Sequence, residues 1–401
     1  MRILYHHRTA ALDGMAVHIE RLVSELRARG HEVCVVGPEA GGAGQRDGRL
    51  EQLADRLRAI LPPAAFEVLE LVYNIPAYRR LARAADRFRP DVLYERNNLF
   101  LLAGLWLKRR RALPMLLEVN APLAQERAQF GTLALKRLAR RTQDKVWRGA
   151  DMVLPVTHVL ARMVAEARGP RGIHVICNGG DPGKSPDMAA AAAVRAQLGL
   201  ENKVVLGFVG FVRPWHGLEW AIHALARLPD RVHLLVVGDG PAQESLEQEA
   251  VSLGVAGRVH FAGRLPHDRV PAYVQNFDVA LQTRAVGYAS PLKLFEYMTM
   301  ARAIIAPDQP NLREVLTADV DALLFDPRDE ESFFQALLRL SGDAALRARL
   351  GAAARNTIIS RGLTWAENAR RVEALALALC SGREGAPLAV QDRGPAVHQE
   401  E

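Results

Sequence analysis

The chain has 401 residues, of which 49% are apolar and 24% charged, a size and balance that predict a globular protein of two domains. No apolar run approaches the roughly 20 residues that cross a bilayer; the longest, Leu99–Leu107, stops at Lys108-Arg109-Arg110-Arg111, which excludes a membrane-spanning protein of the helical kind. The formal charge of +7 fits phosphate-bearing ligands, an anionic membrane surface or nucleic acid and does not choose among them.

Arg2–Tyr5 predicts a short buried strand, and the chain enters it directly after Met1, which predicts no signal peptide and a cytoplasmic location. His6 to Gly14 reads as a loop holding Asp13-Gly14. Ile19, Leu22, Val23 and Leu26 then recur at helical spacing up to Gly30, a helix stop. His31–Val36 predicts the second strand, and the Gly-rich residues 39–48 a loop. Further strands are predicted at Phe66–Leu71, Asp91–Tyr94, Met115–Val119, Met152–Pro155 and Ile173–Cys177, with helical patterns between them. Such alternation predicts a parallel sheet covered by helices. Cys34, Cys177 and Cys380 are scattered and lack metal-ligand spacing, which predicts free thiols.

Asn178-Gly179-Gly180-Asp181-Pro182-Gly183 breaks this pattern, and it then begins again. Strands are predicted at Val204–Val209, Val232–Val237, Val259–Phe261, Val279–Gln282, Ala303–Ala306 and Ala322–Phe325. The fold class expected is α/β, with two doubly wound Rossmann-like domains facing across a cleft. Residues 1–180 would form the first domain, 185–362 the second, and 381–401 a disordered tail.

One helix, over Lys136, Arg137, Arg140, Arg141, Lys145 and Arg148, is basic and also carries Leu133, Leu135, Leu138, Val146 and Trp147. Two readings stay open for it: a solvated helix whose apolar stripe packs inward, or a peripheral contact with an anionic membrane.

Ligands of open α/β sheets bind beyond the carboxyl ends of the strands. In the second domain those ends hold the loop Gly210–Gly217, with Arg213 and His216, and the stretch Ser290-Pro291-Leu292-Lys293-Leu294-Phe295-Glu296-Tyr297. Ser290 is placed as a helix N-cap with Pro291 at the first helical position. Lys293 then falls where a capping box would carry Glu or Gln, a cation that suits a helix end only with an anion in front of it. Arg213, Lys293 and the helix N-terminus together are what a departing diphosphate requires, and Glu296 could accept hydrogen bonds from a ribose diol. An ordinary Ser-Pro cap with solvated Lys and Glu stays open as the plainer reading. In the first domain Gly14 could admit an anion to backbone N–H groups, while Glu118 and Asn120 follow a strand and His18 lies near the same rim. Tyr94-Glu95-Arg96-Asn97 is similarly placed, with Glu95 and Arg96 readable as an ion pair. No metal-ligand spacing, P-loop or Gly-x-Ser-x-Gly elbow occurs.

The chain resembles the GT-B glycosyltransferases of family 4 (glycosyltransferase group 1), which are retaining and use nucleotide sugars. The resemblance covers roughly residues 1–378 and rests on Asp13-Gly14 with His18, Arg29-Gly30-His31-Glu32-Val33, Asn178-Gly179-Gly180-Asp181, Phe208-Val209-Gly210 with Trp215-His216-Gly217, Val237-Gly238-Asp239-Gly240-Pro241, Ser290 to Tyr297, Glu314 and Thr364-Trp365.

It implies that Glu296 binds the donor ribose, that Gly210 and the backbone at Ser290, Pro291 and Leu292 hold the diphosphate with Arg213, His216 and Lys293, and that Gly14 abuts phosphates or acceptor. It further implies that the last helix, 365–378, packs back on the first domain. The donor would be a UDP- or GDP-sugar, the acceptor a glycan or lipid-linked hydroxyl of a cell-surface polysaccharide or glycolipid, with no metal, no other cofactor and no nucleic acid. Two departures stand out: Tyr288 occupies the usual place of a first glutamate, and Phe211 and His216 replace the usual loop Arg and Lys. A nucleotide-sugar epimerase or glycan phosphorylase of the same fold, and a non-enzymatic basic membrane- or nucleic-acid-binding protein, are the competing readings.

Overall fold

The computed structural model describes residues 1–8, 14–37, 61–183 and 187–382. Two compact units divide the chain: Met1–Cys177 with the segment from Asn368, and Asn178–Glu367. The division falls within the turn-rich break, a few residues before 180, and the second unit runs on to Glu367 instead of 362. The Gly-rich stretch 39–48 and all but the first two residues of the 381–401 tail lie outside the described residues.

The first unit is built on five parallel strands, β1 (Arg2–His6), β2 (Glu32–Val36), β3 (Val92–Arg96), β4 (Met115–Val119) and β5 (Met152–Pro155), in the order β2-β1-β3-β4-β5. β3 and β4 are buried along their whole length, as strands covered on both faces must be, and their charged members, Glu95, Arg96 and Glu118, are all paired. From Asn368 onward the last helix, Trp365–Cys380, belongs to this unit: Ala369, Val372, Leu375 and Ala376 share a core with Ile3, Tyr5, Leu22, Tyr94 and Leu154.

The second unit carries β6 (Val204–Val209), β7 (Val232–Val237), β8 (Val259–Gly263), β9 (Val279–Leu281), β10 (Ala303–Pro307) and β11 (Leu323–Phe325), in the order β11-β10-β9-β6-β7-β8. Strand order runs outward in opposite directions from the β6–β9 pair. This is the topological switch point, where a crevice opens beyond the strand ends. Both sheets are parallel throughout, in agreement with the doubly wound α/β class expected.

One predicted strand is absent and another is only partly formed. Residues 66–71 lie in a helix, Pro63–Val72, and not in a strand. Pro62-Pro63 starts this helix, and Glu67 and Glu70, one turn apart, are both buried. The Glu67 carboxylate accepts the N–H groups of Ala134 and Leu135 at 2.8 and 2.7 Å, and Glu70 pairs with Arg127. Residues 173–177 carry one parallel bridge, Ile173 to Val153, and pair with β5 through the N–H groups of His174 and Ile176, which donate to the carbonyls of Val153 and Pro155 at 3.0 Å each, without forming a full strand.

The basic helix spans Lys136–Gly149, and Ala139, Gln143, Val146 and Trp147 form its buried face. Its apolar stripe therefore packs inward, while Lys136, Arg137, Arg140, Arg141, Lys145 and Arg148 are exposed. Leu138 stays on the exposed side. No described helix is long and apolar enough to cross a membrane.

Candidate active site

At the switch point the loop after β6 and the segment after β9 come together around one aromatic ring. Phe208, fully buried near the end of β6, has the Lys293 Nζ 3.7 Å from its ring centroid and the His216 ring 5.2 Å away. Gly210 adopts φ 139°, and a methyl group there would stand 3.4 Å from the Lys293 Nζ. The backbone of Gly210 thus passes beside the ammonium, and only glycine holds that conformation without strain.

The loop is fixed from beneath by the turn after β7. A Cβ on Gly238 would lie 2.1 Å from the Gly210 carbonyl oxygen, and one on Gly240 would lie 2.2 Å from that of Val212. Both glycines are therefore packing requirements of the Gly210–Val212 backbone. Across the loop, Pro214–His216 forms a single 3-10 turn; the Arg213 N–H donates to His216 Nδ1 at 3.3 Å, and the Thr283 hydroxyl donates to the His216 carbonyl. The Arg213 guanidinium stacks between Phe211 and Trp215, 4.7 and 4.9 Å from their centroids.

These contacts set the protonation states. Because His216 Nδ1 accepts a backbone N–H, its proton resides on Nε2. Burial, reinforced by the charges of Lys293 and Arg213, pushes its pKa down to about 3, so the imidazole is neutral at physiological pH and serves only as an Nε2–H donor. Burial also pulls the Lys293 ammonium down to about 7, against the opposing pull of Glu296.

The helix carrying Lys293 runs from Leu292 to Thr299, with Pro291 in the N-cap position. The expected Ser290 cap is corrected here. Ser290 Oγ accepts the Asn178 N–H at 3.3 Å, and its carbonyl accepts the Asn178 side-chain amide, so the hydroxyl is engaged there and makes no cap bond to the helix. The helix starts one residue later than predicted, and Lys293 is its second residue. Leu294, Phe295, Tyr297 and Met298 face inward, leaving Lys293 and Glu296 half-buried on the other side, one turn apart. Tyr297 secures the helix to the end of β6, its hydroxyl accepting the Val209 N–H at 3.1 Å.

In the first unit the strand ends form a second cluster, centred on Glu118 at the end of β4. This carboxylate is 3% exposed and receives His18 Nε2 at 2.9 Å, the Tyr94 hydroxyl at 2.7 Å, the Arg96 guanidinium and the Asn120 amide. Burial raises the carboxyl's pKa, but His18 and Arg96 outweigh it and hold Glu118 well below the usual range. It is therefore a permanent anion that fixes the orientation of His18, Arg96 and Asn120. Glu95 and Arg96 do not pair with each other: Glu95 binds His6, its register neighbour on β1, and Arg96 binds Glu118, its register neighbour on β4. Successive side chains of a strand point to opposite faces, which forbids the pairing read from sequence. Gly104 leaves room for Glu95, since a Cβ there would meet its carboxylate at 1.9 Å. Gly14 is the first residue of the helix Gly14–Ala28, and Asp13 lies outside the described residues.

The cationic cluster beside a helix N-terminus in the second unit suits an anionic leaving group, and the first unit holds a separate cluster built on an orienting carboxylate. Residues 12–184 match the family described as Glycosyltransferase Family 4, and residues 203–343 match Glycosyl transferases group 1. The chain belongs to the group 1 / family 4 glycosyltransferases. It is 25% identical over 323 residues to the lipopolysaccharide core biosynthesis glycosyltransferase LpsE of Rhizobium meliloti, covering 79% of this chain and 92% of that protein. To the alpha-D-kanosaminyltransferase of Streptomyces kanamyceticus it is 26% identical over 235 residues, 57% of this chain and 56% of that protein, so that match spans about half the relative's length. The crystal structure of Anabaena HepE in complex with UDP superposes with a TM-score of 0.74 at 20% identity, over 95% of this chain and all of that one, which shows the shared GT-B fold.

In this glycosyltransferase Gly210, Arg213, His216, Lys293 and Glu296 share one strand-end cluster, and His18, Glu118 and Asn120 another. Phe208, Thr283 and Asn178 were not legible as site residues. Phe208 reads in sequence as one more core aromatic, and the partners of Thr283 and Asn178 lie 67 and 112 residues away.

Proposed function

We propose that the protein moves a sugar from a nucleoside diphosphate donor to an acceptor hydroxyl with retention of anomeric configuration. What carries this reading is the convergence of Lys293, the neutral His216 Nε2–H, the Gly210 backbone and the N–H groups of Leu292 and Lys293 at the β6–β9 switch point. Arg213 brings a second fixed cation to the same loop. The cluster is a set of fixed donors aimed at an anion whose charge grows as a bond to it breaks.

In the step proposed, the bond from the sugar's anomeric carbon to the phosphate oxygen breaks, and the acceptor oxygen bonds to that carbon on the same face. The acceptor proton passes to the leaving phosphate, whose charge Lys293 and Arg213 offset without a divalent ion. Glu296, one turn into the helix, accepts from the ribose hydroxyls. In the first unit, the side chains that Glu118 orients, His18 and Asn120, address the acceptor.

UDP and GDP are the nucleotides proposed. HepE binds UDP, and relatives of this chain act in lipopolysaccharide core synthesis, which supports a cell-surface glycan or glycolipid as the product. The exposed basic face of Lys136–Gly149, with Leu138 beside it, supports a peripheral contact with anionic lipid on the cytoplasmic side. Thermal-shift screening of UDP, GDP and ADP tests the donor assignment: stabilisation by one base names the nucleotide, and none by any of the three contradicts it.

A further inference from the structure

The segment on which the chain enters the second unit is bonded to the start of the Lys293 helix. Asn178, 6% exposed, grips Ser290 twice: its backbone N–H donates to Ser290 Oγ at 3.3 Å, and its side-chain amide donates to the Ser290 carbonyl. Ser290 is itself buried and immediately precedes the N-cap Pro291. The same segment also packs against the helix's other end. A Cβ on Gly180 would meet Thr299 Oγ1 at 2.3 Å and the Phe295 carbonyl at 3.0 Å. The segment is held in turn by the chain before the last helix, where Gly180 bridges Thr364 and the Trp365 N–H donates to the Gly180 carbonyl at 3.2 Å. A second amide fastens the preceding loop: Asn311 Nδ2 donates to the carbonyls of Val286 and Ala289 at 3.2 and 2.8 Å.

The start of the helix has no side-chain cap of its own, which leaves the Asn178 grip to hold the residue before Pro291. Pro291 itself lacks an N–H with which to tie the turn. The direction of the Leu292 and Lys293 N–H groups is therefore set by the position of the Ser290 carbonyl.

Resting on the donor reading above, we infer that Asn178 is a positioning residue for the diphosphate. Its amide holds the Ser290 carbonyl, and thereby aims the helix N–H groups and the Lys293 ammonium at the phosphates without touching them. Base and ribose recognition do not pass through this bond.

The test compares wild type, Asn178→Ala and Asn178→Asp as full chains, measuring the dissociation constants of UDP and of uridine (GDP and guanosine if the wild type selects guanine), with melting temperatures alongside. Asp conserves the shape of Asn but cannot donate to a carbonyl, so it separates packing from hydrogen bonding. Both variants are expected to stay folded, to weaken UDP about tenfold and to change uridine less than twofold. An Asp variant that binds UDP like wild type, an equal loss of UDP and uridine, or variants that do not fold would each overturn the positioning role. A wild type that binds no nucleoside diphosphate would instead remove the donor reading itself.

Discussion

His216 and Lys293 share the ring of Phe208: the imidazole lies 5.2 Å from it, centroid to centroid, and the ammonium 3.7 Å from its centroid. Two residues 77 positions apart thus meet over one buried aromatic, where burial depresses the protonation of both and the charge of Lys293 lowers that of His216 further. The consequence is a loaded cation: Lys293, with a pKa of about 7, is only partly charged near neutrality until an anion arrives.

Diphosphate binding should therefore take up a proton. The anion raises the Lys293 pKa, so above about pH 7 the free enzyme must gain a proton that the complex holds. Affinity falls as pH rises from about 7, by up to roughly tenfold per unit. Calorimetry of UDP or GDP binding at pH 8 in buffers of different ionisation enthalpy should show uptake of close to one proton, and Lys293→Met should abolish it. Turnover of that variant should fall about 100- to 1000-fold, the effect of losing a fixed donor to a leaving group.

Glu118 should govern stability on the acid side. Its pKa is depressed in the folded state, so the stability it contributes is fully present above the unfolded carboxyl value and is lost as pH falls towards the folded one. Glu118→Ala leaves His18, Arg96 and the Tyr94 hydroxyl without their shared acceptor and should cost about 3–5 kcal/mol in urea unfolding. Glu118→Gln, which keeps the volume and one carbonyl, should cost less.

The architecture was legible because both sheets are parallel and their central strands are buried, so most strands read as short apolar runs, many of them ending at Gly, Pro or Asn. Where a strand prediction failed, at 66–71, the residues Phe66, Val68, Leu69 and Val72 give no alternation. The true signal was polar: Glu67 and Glu70 spaced one helical turn apart after Pro62-Pro63. Lys293 and Glu296 could be singled out because a cation near a helix start violates the local preference. Phe208 and Asn178 stood in motifs that carry the resemblance but had no assigned role, and Thr283 was not singled out, since each takes its role from a partner that only the fold brings near. The Ser290 cap was misplaced for the same reason, its hydroxyl being held by a residue 112 positions away.

Glycines 238 and 240 should prove structural supports of the phosphate loop. Gly238→Ala combines φ 130° with a 2.1 Å approach to the Gly210 carbonyl, and should destabilise by roughly 2–4 kcal/mol, seen as a lowered melting temperature. Gly257→Ala, where a Cβ meets nothing within 4 Å, is the control that should change little.

A separate pH dependence should arise at His223, whose two ring nitrogens meet Glu330 at 2.6 Å and Glu249 at 2.5 Å. Burial lowers its pKa, but the hydrogen bonds and charges of the two carboxylates more than offset this and raise it. The stability it contributes is fully present below the unfolded histidine value and is lost as pH rises through the folded one. Melting curves between pH 5 and 8 should show this component in wild type, and His223→Gln should remove it.

The most direct test is the rate of sugar transfer, or of slow donor hydrolysis, measured for wild type, Lys293→Ala and Glu296→Ala against a panel of UDP- and GDP-sugars. Turnover should collapse in both variants while their melting temperatures stay near that of wild type; transfer at near-normal rates in both would contradict a diphosphate site at the start of the Leu292–Thr299 helix.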